Sequence, residues 1–110
     1  SGRFHSASSI NDTDYTLEGR VINLTAINSE KKNSPDANSV EITINCSFYR
    51  RSNEFSGLNL LFNKSYTQRV NRINNFVETI PQATSRAMAL ISDMILVDMI
   101  NHIKMDRNIN

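Results

Sequence analysis

From Ser39 to Phe48 apolar and polar residues alternate without a break. Val40, Ile42, Ile44, Cys46 and Phe48 share one parity, and Glu41, Thr43, Asn45, Ser47 and Tyr49 the other. Period two held over ten residues predicts a half-buried strand, because successive side chains of a strand point to opposite faces. A polar turn, Ser52-Asn53-Glu54, follows. Beyond it Leu58, Leu60 and Phe62 alternate again, leading into Lys64, Ser65, Tyr66 and Thr67. Two such runs so close in sequence pair as an antiparallel hairpin. The rest of the chain must pair with this hairpin or cover its apolar face.

Ahead of the hairpin, residues 1–13 are polar and without period, and they read as a mobile N-terminal tail that holds His5 in solvent. Tyr15, Leu17 and Val21 share a parity, while Ile22, Leu24 and Ala26 take the other. This predicts a strand over Tyr15–Ile27 with a bulge or twist between Gly19 and Ile22. The charged, proline-bearing stretch 28–38 reads as an exposed loop. After the hairpin, Ile73, Phe76 and Val77 have helical spacing among asparagines, so 70–80 is expected to pin one or two side chains onto the core.

Pro81 suits the first turn of a helix that runs to about Met105, with residues 106–110 as a C-terminal tail. On this helix Arg86, Asp93 and Lys104 gather on one narrow side, and the remainder is apolar almost all round. Such a helix needs two partners, a sheet for one face and something else for the other. Met88, Ile95, Leu96, Met99, Ile100 and Ile103 are the expected interface residues. The second partner is another copy, another chain, or a further part of a longer protein. The fold predicted is therefore α+β: a three-stranded antiparallel meander with one long C-terminal helix packed across a face, in a single domain over 14–105.

The chemistry-bearing residues are sparse. Asp98 and His102 stand four apart on the helix, the spacing of a proton-transfer dyad or half a metal site. No second histidine in the folded part and no nucleophile joins them, which favours a helical hydrogen-bonded pair or a polar spot at an interface. Arg50, Arg51, Lys64, Arg69 and Arg72 cluster around strand ends and are the candidate anion-binding or phosphate-binding rim. Cys46, the lone cysteine, falls on the inward parity and reads as buried filler. Of four Asn-x-Ser/Thr sequences, at Asn11, Asn23, Asn45 and Asn63, three lie inside predicted strands, which disfavours them as glycosylation sites. No cofactor or metal motif occurs, and a net charge of +1 argues against a dedicated nucleic-acid binder. No apolar run reaches the length of a membrane span. No secretory leader is visible, which leaves the compartment open.

The segments DYTLEGRVINL at 14–24, VEITINCSFYRR at 40–51, LNLLFNKSYTQRVN at 58–71 and ATSRAMALISDMILVDMINHI at 83–103 together resemble the C-terminal portion of small Gram-negative outer-membrane lipoproteins. The lipopolysaccharide-assembly lipoproteins of the LptE family have this order of elements, and YajG-type lipoproteins are similar in outline. Such proteins add a strand and a helix ahead of this portion, and a lipid-bearing cysteine near the mature N-terminus; residues 1–13 show the pattern of none of these. The resemblance implies a non-enzymatic envelope protein on the periplasmic side of the outer membrane. It would partner a β-barrel and contact lipopolysaccharide phosphates through Arg50, Arg51, Lys64, Arg69 and Arg72. The alternative is an intracellular adaptor or oligomerisation domain whose apolar helix mediates homo- or heteromeric association.

Overall fold

A computed structural model describes residues 3–10, 13–27, 37–51, 57–73 and 77–107. Four strands, β1 (Arg3–Ile10), β2 (Thr13–Ile27), β3 (Ser39–Arg51) and β4 (Leu58–Asn71), form an antiparallel meander in the order β1-β2-β3-β4, followed by one helix, α1 (Ile80–Asp106). The expected three strands are β2, β3 and β4, with α1 packed across one face as predicted. The reading of residues 1–13 as a mobile tail is corrected: Arg3–Ile10 pairs antiparallel with β2, from Arg3 opposite Arg20 to Ile10 opposite Thr13. Its sequence has no apolar alternation, so the backbone ladder with β2, invisible to a period count, is what defines it.

The inward parity of β3 is as expected. Val40, Ile42, Ile44, Cys46 and Phe48 are all almost fully buried. The β2–β3 register slips between Val21 and Asn23, setting Ile22 as the extra residue of a bulge at the far end of the stretch where one was expected. A second slip, opposite the Phe48–Tyr49 step, leaves Leu61 without a partner in the ladder. It turns Leu58 and Leu60 to the outer face, so the alternation read across 58–62 does not stay on one side. Leu60 is 56% exposed, while Leu61 and Phe62 pack on the core.

The outer face of β3 and β4 is polar and laced between strands. Thr43 and Thr67 hydroxyls lie 2.8 Å apart, and Asn63 donates to Asn45 at 3.1 Å and to Ser47 at 2.7 Å. On the inner face an aromatic row crosses the sheet. Tyr15 stacks on Phe48 at 5.5 Å, Phe48 meets Phe62 at 5.5 Å, and Phe62 meets His102 of α1 at 4.6 Å.

Helix α1 begins with a capping box. Thr79 accepts from the Gln82 N–H, and the Gln82 side chain accepts from the Thr79 N–H, with Pro81 in the first turn. Ala83, Ala87, Ile91 and Ile95 form the buried stripe at four-residue spacing, continued by partly buried Met99 and Ile103. The two alanines let the first half of the helix approach the sheet closely. The link before it behaves otherwise than expected: Ile73 and Val77 are exposed, and Phe76 lies outside the described residues. Polar contacts fasten it instead. Arg72 donates to the carbonyls of Glu78 at 3.0 Å and Ala37 at 2.8 Å, and Arg86 grips both Glu78 carboxylate oxygens at 2.9 Å.

Candidate docking groove

Strands lie about 4.8 Å apart and a helix is about 10 Å wide, so one helix covers two strands. Helix α1 sits over β3 and β4. Its flank toward β4 is fastened to that strand by polar bonds, with Leu90 and Met94 left exposed. Gln68 donates to the Met94 sulfur at 3.4 Å, and Tyr66 and Lys64 donate to the Asp98 carboxylate at 2.6 and 3.0 Å. At the C-terminal end the helix reaches across to β2 and β3. Asp106 accepts from Tyr15 at 3.0 Å and from Arg50 at 3.1 Å, so the boundary of the expected C-terminal tail moves out past Asp106.

The opposite flank is open. Between α1 and β2 a cleft of about 390 Å³ is lined by Leu17, Ile44, Met88, Ser92, Ile95, Leu96 and Met99. A second cleft, about 400 Å³, continues past Met88 along Val21, Ile22, Leu24, Ile42 and Thr84. Together they form one groove whose wall is α1 and whose floor is β2 and β3. Met88, Leu96 and Ile100 are 38, 54 and 43% exposed beside it, and Leu24 is 54% exposed on the floor. Apolar side chains left in water around a concave surface mark a place where another apolar body docks.

Of the expected interface residues, Met88, Leu96 and Ile100 stand at the open flank. Ile95 and Met99 line the inner wall of the groove while also packing on the sheet, and Ile103 packs on the sheet, because the four-residue stripe that seats the helix includes all three. The floor residues Leu17, Val21 and Leu24 were not singled out in the sequence. The available signal was the count of elements, three apolar-faced strands, β2, β3 and β4, against a single helix.

The five basic residues do not converge. Arg50 and Arg51 lie opposite Asn59 and Leu58 at the hairpin end, whereas Arg69 and Arg72 lie at or just past the other end of β4, roughly 30 to 45 Å away at about 3.3 Å per residue. Four of them serve the fold. Arg50 binds Asp106, Lys64 binds Asp98, Arg69 donates to the Ser39 hydroxyl at 3.3 Å, and Arg72 holds the link. The single anion-binding rim is therefore withdrawn as a structural expectation.

Asp98 and His102 do not join side chain to side chain: the His102 Nδ1 lies 2.9 Å from the Asp98 carbonyl oxygen, while the carboxylate turns to Tyr66 and Lys64. The hydrogen bonds from Tyr66 and then Lys64 hold the Asp98 carboxyl below its ordinary range. Burial, then the bond to Asp98, raises the Tyr66 hydroxyl above its own. Burial pushes the Cys46 thiol up to about 11, away from the reactive thiolate. Among the described residues no group of three or more His, Cys, Asp or Glu is placed to hold a metal, and no helix is long and apolar enough to cross a membrane.

No protein family, curated protein or solved structure matches this chain.

Proposed function

We propose that the chain is a non-enzymatic binding or assembly module of the cell envelope, similar to an outer-membrane lipoprotein that partners a β-barrel in lipopolysaccharide assembly. The observation that carries this reading is the α1–β2 groove: an apolar cleft floored by β2 and β3, with Leu24 exposed on its floor, beside a helix flank of exposed Met88, Leu96 and Ile100. A domain with this shape completes its core on another polypeptide. Elongation supports the reading, since a compact chain of this length has a radius of gyration of about 13 Å against 17.2 Å here. The element order supports the lipoprotein kind in particular. Those proteins carry a strand ahead of the meander, the position that β1 occupies, together with a helix.

The test is site-specific photo-crosslinking in detergent-solubilised envelopes, with the reactive residue at Leu96 in the groove or at Thr43 on the outer face. The expected result is an adduct with an outer-membrane β-barrel from position 96 and none from 43. Equal labelling from both faces, or adducts with other envelope proteins alone, would remove the barrel-partner reading. The adaptor reading keeps the same groove and predicts that position 96 captures a soluble protein.

A further inference from the structure

We propose that β4 pairs antiparallel with β4 of a second copy, extending the sheet to eight strands and laying two α1 helices side by side across a two-fold axis. This does not rest on the groove. Met94, which the pairing uses, and Leu96, which the groove uses, lie on opposite flanks of α1.

Among the described residues strand β4 is the last of the sheet, fourteen residues long and paired on one side only. A free edge of that length is a template for another strand. Beside it, on the β4 flank of α1, Leu90 and Met94 are 44 and 39% exposed. Arg86 and Asp98 flank them at four-residue spacing on the same stripe. Run antiparallel against itself and centred on position 92, this stripe sets Leu90 against the partner's Met94, with Arg86 and Asp98 at its ends each already paired within its own chain, to Glu78 and to Lys64 and Tyr66. The apolar pair matches about one centre, which is the requirement of a two-fold interface.

The strand supplies an independent check on that centre. Gln68 bonds to Met94, and Arg86 donates to the Asn71 carbonyl, so helix position 92 stands over β4 between positions 68 and 69. A two-fold on Arg69 would place like charges directly opposite, which destabilises a ladder. Centred on Gln68, glutamine faces glutamine, Thr67 faces the partner's Arg69, and Tyr66 faces the partner's Val70. The ladder closes at Ser65 opposite the partner's Asn71, where β4 ends. Lys64 and Arg72 fall outside it, held by their own chain.

The spacing between the helices follows from the seat of α1. Placed over β3 and β4, its axis stands about half a strand spacing inside β4. Adding the new β4–β4 spacing puts the two axes about 10 Å apart, the separation at which helices pack.

Sedimentation and cysteine crosslinking of the intact chain decide the matter. The wild type is expected to sediment as a dimer. Gln68→Cys should form a covalent dimer on mild oxidation, while Thr43→Cys, on the outer face, should not. Met94→Glu, at an exposed position, should raise the dimer dissociation constant at least 100-fold with no loss of helix signal, and Leu96→Glu should leave it unchanged. A monomer at all concentrations overturns the proposal while leaving groove binding standing. So does a dimer that Leu96→Glu breaks and Met94→Glu does not, which would put the two-fold in the groove.

Discussion

Glu78 is a residue through which the fold feels low pH. The Arg86 guanidinium, and after it the Ile73 N–H, hold its carboxyl down at about 2, against an ordinary 4.5. A depressed carboxyl stabilises the folded state above its unfolded pKa and ceases to do so as pH falls through the folded one. Glu78→Gln should therefore lower stability to urea at pH 6, and the gap to the wild type should close between about pH 4.5 and pH 2. Tyr66 works in the other direction. Its raised pKa favours the folded state fully below pH 10 and is lost above it, so Tyr66→Phe should flatten the alkaline limb of the same curve. A gap at Glu78 that persists at pH 2, or an alkaline limb indifferent to Tyr66, would count against these contacts. Both were illegible in the sequence, because the partners lie 8 and 32 residues away and follow no local period. The Asp98–His102 spacing, legible as a motif, proved to divide between a side-chain carboxylate and a backbone carbonyl.

Among elements, α1 separates residues that hold the fold from residues that do not, and composition alone cannot make that division. Ile91 is completely buried and Val97 is 57% exposed, six positions apart in the same apolar run. Ile91→Ala should cost about 2–5 kcal/mol in chemical denaturation, the usual range for a buried large-to-small change. Val97→Ala should stay within about 0.5 kcal/mol. The period-two run of β3 was readable because one face meets the helix and the other meets water, so its alternation has a physical cause. Strand β1 offered no such contrast. The apolar breadth of α1 was readable too, but which four-residue stripe would seat it depends on the small side chains of Ala83 and Ala87, and hydrophobicity does not rank those first. The bulges at Ile22 and Leu61 then moved neighbouring leucines across faces, which a strict parity count cannot follow.

At the scale of the molecule, α1 lies to one side of its sheet, over β3 and β4. Pairing at β4 would bring the two helices to the middle of the dimer and leave both grooves outermost, open in the same direction. The dimer would then be divalent. A partner displayed many times on a surface would be held by two attachments, the second formed at the high effective concentration that the first creates. Met94→Glu should therefore leave the affinity for a partner free in solution nearly unchanged, while weakening retention on a densely coated surface about 100-fold, within the usual span of such avidity. Dissociation rates measured on sparse and dense surfaces would read this out, and equal rates on the two would reject divalence. The sideways seat of one helix would in this way fix how many hands the assembly has and where they point.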